Sequence, residues 1–316
     1  MPENFKYKKV LLLIICNIVI ISGNGQDIHY SNLNENLYKL NPSYITHFEH
    51  SSMQLNYRNQ WPGSADFVTY SGAFFYNSES LKSTAGIQIF RDDQGRGIIN
   101  TTGFSLIYGY RTLLFHDISF AAGINGGYNI YSVDFSKLQF ENNQIPSLNS
   151  RRNFFDFSAG VEFGFMKQSY FGLSAAHLST PDISPGNPIA RKYCISYQGD
   201  YILSKQYSHQ QISVEPLLVT TFQKNINEIL YGTRIDYSSI LGGIYVRQDY
   251  NFNFDAIIIL LGINFGNNMF IYTYDINLSG AGSNFYKLAA HEVTFLHKFE
   301  YTKARNKKGA IKCPKF

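Results

Sequence analysis

The residues able to do chemistry are few and scattered. His177, Asp182, His291 and Glu292 carry side chains suited to acid–base or metal work. No His-x-x-x-His pair sets two imidazoles on one helix face, and no Gly-x-Ser-x-Gly turn presents a nucleophile. A membrane-embedded hydrolase needs a nucleophile and base held together at one rim, and the sequence offers no coherent set. Asp92, Asp93 and Asp249 are acidic loop positions. Calcium takes about six to eight oxygen ligands, whereas a doublet beside a Gly reads as a solvated turn. There is no Gly-rich phosphate loop and no zinc-type cysteine pair. Cys16 falls in a leader-like segment, leaving Cys194 and Cys313, two thiols that make no disulfide framework. The sequence therefore calls for no catalytic residue, no metal, no cofactor and no nucleic-acid partner.

Such residues need a scaffold, and the pattern of the chain says which. Charged residues make up 16 % of the 316, as do aromatic ones, and Gly is frequent. Many aromatics and few charges suit a wall with lipid on one side and water on the other. The net charge of +4 gathers at the two ends. Segments of roughly ten residues alternate with period two and are separated by turn residues. In one, Ile118, Phe120, Ala122, Ile124, Tyr128 and Ile130 share a face opposite Ser119, Ala121, Gly123, Asn125, Gly127 and Asn129. In another, Phe155, Phe157, Ala159, Val161, Phe163 and Phe165 oppose Asp156, Ser158, Gly160, Glu162 and Gly164. Successive strand side chains point to opposite faces, so one face is apolar and the other small or charged.

About fourteen such segments fit this pattern, near 52–58, 67–75, 83–91, 99–111, 117–133, 153–166, 169–177, 191–203, 211–223, 228–236, 239–248, 253–265, 268–275 and 290–301. The expected fold is all-β: a transmembrane antiparallel barrel of outer-membrane type. An even count closes the sheet and removes the open edge that lipid forbids. With the N-terminus taken as periplasmic, the inner turns at 167–168, 237–238 and 266–267 are tight, while the outer connections at 134–152, 178–190 and 276–289 are the longest. Short inner turns and long outer loops are the habit of bacterial barrels. The inward carboxylates Asp156 and Glu162 are expected to pair across the lumen, with Arg234 and Arg247 as candidate partners.

The ends lie outside this wall. Lys6, Lys8 and Lys9 precede an apolar run too short to span a bilayer, and Gly23 and Gly25 mark a cut before Gln26. Residues 1–25 read as a signal peptide, 26–51 as a periplasmic segment or plug, 52–301 as the barrel and 302–316 as a basic periplasmic tail.

Several short runs resemble the PorP/SprF family, outer-membrane components of the type IX secretion system. They are Leu40, Asn41, Pro42 and Ser43; then Tyr57, Arg58, Asn59, Gln60, Trp61 and Pro62; then Thr69, Tyr70 and Ser71. Asp92, Asp93, Gln94 and Gly95 follow, then Asp134 to Leu138 (Asp-Phe-Ser-Lys-Leu), and His291 and Glu292 open the last strand. Thr46 and His47 stand where the family usually carries Gly. The resemblance covers nearly all of the mature chain and is most specific in its first third. It implies a barrel working with periplasmic ring and peptidoglycan-associated components of the secretion system, and in some members with export or surface attachment of a large adhesin or other cargo.

Two sets of residues become candidates on that footing. Arg58, Asn59, Gln60, Trp61 and Pro62 close the first hairpin at the outer rim, either as a cargo-recognition loop or as a girdle Trp beside an inward Arg. Lys303, Arg305, Lys307, Lys308, Lys312 and Phe316 could contact a periplasmic partner or acidic lipid headgroups. The competing classes are a diffusion channel, which requires an open lumen, and the hydrolase dismissed above.

Overall fold

The computed structural model describes residues 28–63, 66–137, 150–184, 187–203, 212–278 and 289–299. Residues 1–25, which read as a signal peptide, and the basic tail, with Cys313, lie outside them. The strands are β1 (Ser52–Gln60), β2 (Phe67–Ser78), β3 (Ser83–Gln94), β4 (Ile99–Phe115), β5 (Ile118–Val133), β6 (Ser150–Phe165) and β7 (Ser169–Ala176). They continue as β8 (Lys192–Gly199, prolonged by Tyr201–Ile202), β9 (Ile212–Gln223), β10 (Ile226–Tyr237), β11 (Ile240–Asp249), β12 (Phe254–Phe265), β13 (Asn268–Asn277) and β14 (Ala290–Lys298). Each pairs antiparallel with its neighbours in sequence, and β1 pairs with β14 from Ser52↔Lys298 to Gln60↔Ala290. The result is a closed fourteen-stranded barrel, with every internal strand hydrogen-bonded on both sides, as a lipid environment demands.

The two faces are those of the alternation. Ile124 and Phe155 point outward, 61 % and 63 % exposed, while Ala121 and Glu162 point inward at 1 % and 0 %. Leu55, Tyr70, Ile89, Leu106, Leu173, Ile195 and Leu261 continue the apolar outer belt around the wall. A contiguous apolar surface of this kind belongs against lipid. β8 breaks after Gly199 because Pro216 on β9 faces it: a Cβ at Gly199 would stand 2.8 Å from the Pro216 ring, and proline brings no ladder N–H.

The connections differ at the two ends. Beside Ser52 and Lys298 lie the turns 79–82, 116–117, 166–168, 238–239 and 266–267. At the opposite end the strand ends of β5 and β6, β7 and β8, and β13 and β14 are separated by longer stretches of sequence. β2 runs on to Ser78, three residues beyond the segment at 67–75 that the alternation marks, which leaves a tight turn at 79–82. β1 likewise runs to Gln60 because Arg58 has registered partners on both sides, Thr69 and Glu292.

Ahead of β1, α1 (Leu33–Leu40) and a 3-10 turn (Pro42–His47) lie inside the barrel. Leu33 and Leu37, one helical turn apart, are buried, and so is Asn36. Asn41 joins the two pieces, its Oδ1 accepting from the Ser43 N–H (3.1 Å) and Oγ (2.7 Å), with Pro42 at the first position of the turn.

Candidate functional site

The internal segment runs the length of the lumen. His29 starts beside Glu228 (3.4 Å), next to the 224–225 connection at the long-loop end. His47 finishes beside Glu162 (2.7 Å), towards the short-turn end. Its contacts go round the wall: Lys39 Nζ donates to Ser71 on β2 (2.9 Å), Asn41 Nδ2 to the Val161 carbonyl on β6 (3.2 Å), and Ser174 Oγ on β7 to the Leu40 carbonyl (2.7 Å). Tyr245 Oη on β11 donates to Asn34 Oδ1 (2.6 Å).

Three groups of charges lock it. In the first, Arg58 lies between Asp275 (3.1 Å) and Glu292 (3.3 Å) and also donates to Ser31 Oγ. Glu292 accepts from the Ser31 N–H (2.6 Å), Asn36 Nδ2 (3.3 Å) and Asn56 Nδ2 (2.8 Å). Arg247 extends the group through Asp275 (3.3 Å) and Asp255 (2.6 Å). In the second, Arg234 holds Glu35 (2.9 Å), Glu215 (2.7 Å) and Asp236 (2.9 Å). In the third, Glu162 takes His47 and Arg111 (2.7 Å), while Arg111 also donates to Thr46 Oγ1 (3.0 Å). In the first group, where Arg58, Asp275 and Glu292 are buried, removing one partner of such a pair costs several kcal/mol.

The 3-10 turn seats on a row of glycines. Gly109, Gly123 and Gly160 stand in register across β4, β5 and β6. A Cβ at Gly123 would overlap Pro42 C and O and Ser43 N, and one at Gly160 would overlap the Asn41 side chain. The small inward residues of the sequence are thus a seat for the plug.

The plug divides the interior. A cavity of about 930 Å³ at the short-turn end is lined by His47, Glu49, Lys82, Arg111, Tyr170 and Lys298 among others. One of about 580 Å³ lies toward the long-loop end, with Lys39 and Leu40 of α1 against it. Burial pushes the Lys39 amine down to about 7, against the pull of Glu292.

The candidates from the sequence separate. Arg58 is a lumen residue, 2 % exposed, bonded to Asp275 and Glu292 of the wall and to Ser31 of the plug. Asn59 and Gln60 complete β1, so only Trp61 and Pro62 lie in the turn. Trp61 has φ +58, donates its N–H to the Ala289 carbonyl (2.9 Å) and meets Phe67 edge-on at 5.1 Å. Lys303, Arg305, Lys307, Lys308, Lys312 and Phe316 fall outside the described residues. Asp156 and Glu162 do face inward, but not to Arg234 or Arg247, which belong to β10 and β11 across the barrel. Asp156 pairs with His177 (2.6 Å) and accepts from Ser179 Oγ (3.2 Å). His291 bonds the Tyr272 hydroxyl (2.7 Å) and Glu292 serves the plug, so the scattered acid–base candidates stay apart. Cys194 is a free, buried thiol. Asp275, Glu35, Glu215 and Arg111 were missed by sequence reasoning. Their signal was a charge at an inward position of an alternating strand, or on the plug.

Several of the residues that resemble the family's motifs meet at this plug. Asn41, Pro42 and Ser43 make its turn, and Arg58 and Glu292 latch its start. Asp134 accepts from the Ser136 N–H (3.1 Å) and Oγ (2.5 Å), which hold its carboxyl below the usual value, while Lys137 Nζ reaches the Gly97 carbonyl (3.0 Å). That run ties the β3–β4 turn to the loop after β5. The family described as type IX secretion system membrane protein PorP/SprF matches residues 22–296. The chain belongs to the PorP/SprF family. No curated protein matches it. Among solved structures, the toluene transporter TodX of Pseudomonas putida is similar in fold, with a TM-score of 0.50 at 7 % identity over 83 % of this chain and 93 % of that one. A FadL homologue of Pseudomonas aeruginosa (TM-score 0.44, 10 % identity, 82 % of this chain and 93 % of that one) is also similar. So is Omp33 of Acinetobacter baumannii (0.44, 7 %, 80 % and 100 %). These likenesses concern the barrel fold, which for this PorP/SprF protein is that of an outer-membrane wall.

Proposed function

We propose that this protein is a non-enzymatic outer-membrane component of the type IX secretion system that supports export or surface attachment of a cargo protein such as a large adhesin, through contacts with periplasmic machinery. The observation that carries this reading is the filled lumen of a PorP/SprF barrel. A segment bonded to strands all round the wall leaves the two ends, rather than a pore, as the working surfaces. On this reading the long-loop end, with Trp61 and Pro62, meets cargo, and the short-turn end with the basic tail meets the periplasmic ring and peptidoglycan-associated components.

The test is an affinity pull-down from gently solubilised outer membranes, comparing the full chain with one truncated after residue 300. Recovery of periplasmic partners with the full chain alone supports the role and assigns it to the tail. Recovery with both supports the role through the inner turns. Recovery with neither, from membranes where the barrel is folded, overturns it.

A further inference from the structure

A barrel interior is ordinarily polar, and two parts of this one are not: the level where Phe75, Ile107 and Leu230 pack on Leu37 and Ile45 of the plug, and a level toward the long loops that lines a cavity. Phe67, Phe90, Ile99, Tyr131 and Phe154 occupy inward positions on five consecutive strands, β2 to β6, and all line the 580 Å³ cavity. Ile183 and Ile189 of the 177–191 connection face the same space. The alternation that places small or polar residues inside at Gly123, Asn125 and Asn129 places aromatic ones there at this level, where they face a cavity, unlike the inward Phe75 and Tyr245, which pack against the plug. Outward aromatics are explained by lipid; inward ones of this number are not. The volume lies within the roughly 300–1,000 Å³ of small-molecule sites.

The polar groups of the chamber are unequal. Asp92 is satisfied by Thr69 Oγ1 (2.6 Å) and Gln94 Nε2 (2.9 Å), and Asp156 by His177 and Ser179. Lys39 has no such match. Its amine donates to a neutral hydroxyl, Ser71, and stands 3.6 Å from the centre of the Tyr30 ring, with no carboxylate in ion-pair range among the described residues. Every other charge that fixes the plug has a countercharge; Lys39, facing the apolar chamber, does not. A half-buried ammonium without a counter-anion is costly to keep, and a ligand carboxylate would offset that cost. The Ser71 and Tyr30 contacts hold the amine in place for one.

We propose that this chamber binds an elongated apolar molecule ending in a carboxylate, its chain against Phe67, Phe90, Ile99, Tyr131 and Phe154 and its carboxylate on the Lys39 amine. The plug lies beneath the chamber, so the site is for binding and not for passage. It stands apart from the secretion role: either can fail without the other.

The test uses the purified full chain in amphipol and decanoate as probe, with calorimetry as readout. Decanoate binds saturably at one site per chain, and decanol more weakly. Lys39→Met, which keeps bulk and removes charge, weakens decanoate by about tenfold or more and leaves decanol unchanged, as expected for loss of a charged hydrogen bond. Ser158→Phe, which fills the chamber from β6, abolishes both, with the heat-modifiable gel shift showing that each variant is folded. Absence of saturable binding to the native chain overturns the proposal. So does decanoate binding that Lys39→Met or the folded Ser158→Phe variant leaves intact, because the molecule then sits on the outer wall or in the amphipol.

Discussion

Gly123→Ala tests whether the plug is seated by close backbone approach. The added methyl would overlap Pro42 C and O and Ser43 N, which are backbone atoms with no rotamer to change. Ordinary carbon contacts lie at ~3.5–4.0 Å, so the turn would retreat by roughly 1 Å. That displacement strains the Asn41 Nδ2 bond to the Val161 carbonyl (3.2 Å) and pulls on the Thr46–Arg111 contact (3.0 Å). Overpacking of this kind costs about 1–3 kcal/mol. At 1.4 kcal/mol per factor of ten, amide protection across residues 41–47 should fall by ~5- to ~150-fold. The matched control is Gly126→Ala on the same strand, where the nearest atom to a new Cβ is the Phe157 ring at 3.5 Å. Hydrogen–deuterium exchange of the folded barrel in micelles, read by mass spectrometry, compares the two. Protection should drop over 41–47 in the first variant and hold in the second, with β-strand protection unchanged in both. Equal protection over 41–47 in the two folded variants would refute the seating argument.

Two other outcomes follow from the same geometry. Arg58→Met leaves the almost fully buried Glu292 without its guanidinium and Asp275 with Arg247 alone, and should lower stability by about 3–5 kcal/mol, with Arg58→Lys intermediate because an amine cannot bridge both carboxylates as a fork does. The urea midpoint of the heat-modifiable form reads this, and an unchanged midpoint would show that the cluster is not a latch. For orientation, a chain carrying Cys313→Ser and Asn251→Cys should react with an impermeant maleimide in intact cells. Ser239→Cys should react only after lysis, and Cys194, buried in the lumen, in neither. The reverse pattern would turn the barrel over.

The wall was legible because lipid and water impose opposite demands on alternate residues, and a period of two survives in any one strand. Ile118 to Ile130 and Phe155 to Phe165 announce both their strands and their facing. The reach of β1 to Gln60 was less so, since the polar run Arg58, Asn59 and Gln60 looks like a turn until Glu292 and Thr69 are seen on either side. The plug was hardest to read. An eight-residue helix has little periodicity to show, and the polar residues of this one have partners that are far away in sequence: Asn34, Glu35, Asn36 and Lys39 all bond to strands. Partners across the lumen were out of reach for the same reason. Glu162 was read as inward, but nothing local to β6 names His47 or Arg111.

Why the plug is held by ions follows from its surroundings. Leu33, Leu37, Tyr38 and Ile45 do bury apolar surface against Phe75, Ile107 and Leu230 of the wall, but a segment held by dispersion alone would slide along the axis. Directional bonds resist sliding. Arg58 with Glu292 fixes Ser31, Arg234 fixes Glu35, and Glu162 fixes His47. These anchors lie at the start, middle and end of the segment and on different parts of the wall. Buried ion pairs are weak arguments for stability against an apolar alternative but strong ones for a single register. Opening the lumen would need all three broken together, leaving several charges bare in a narrow interior. On the proposed role that rigidity has a use: a secretion component that docks one partner on each face gains from a core that transmits position between them, and gains nothing from a pore.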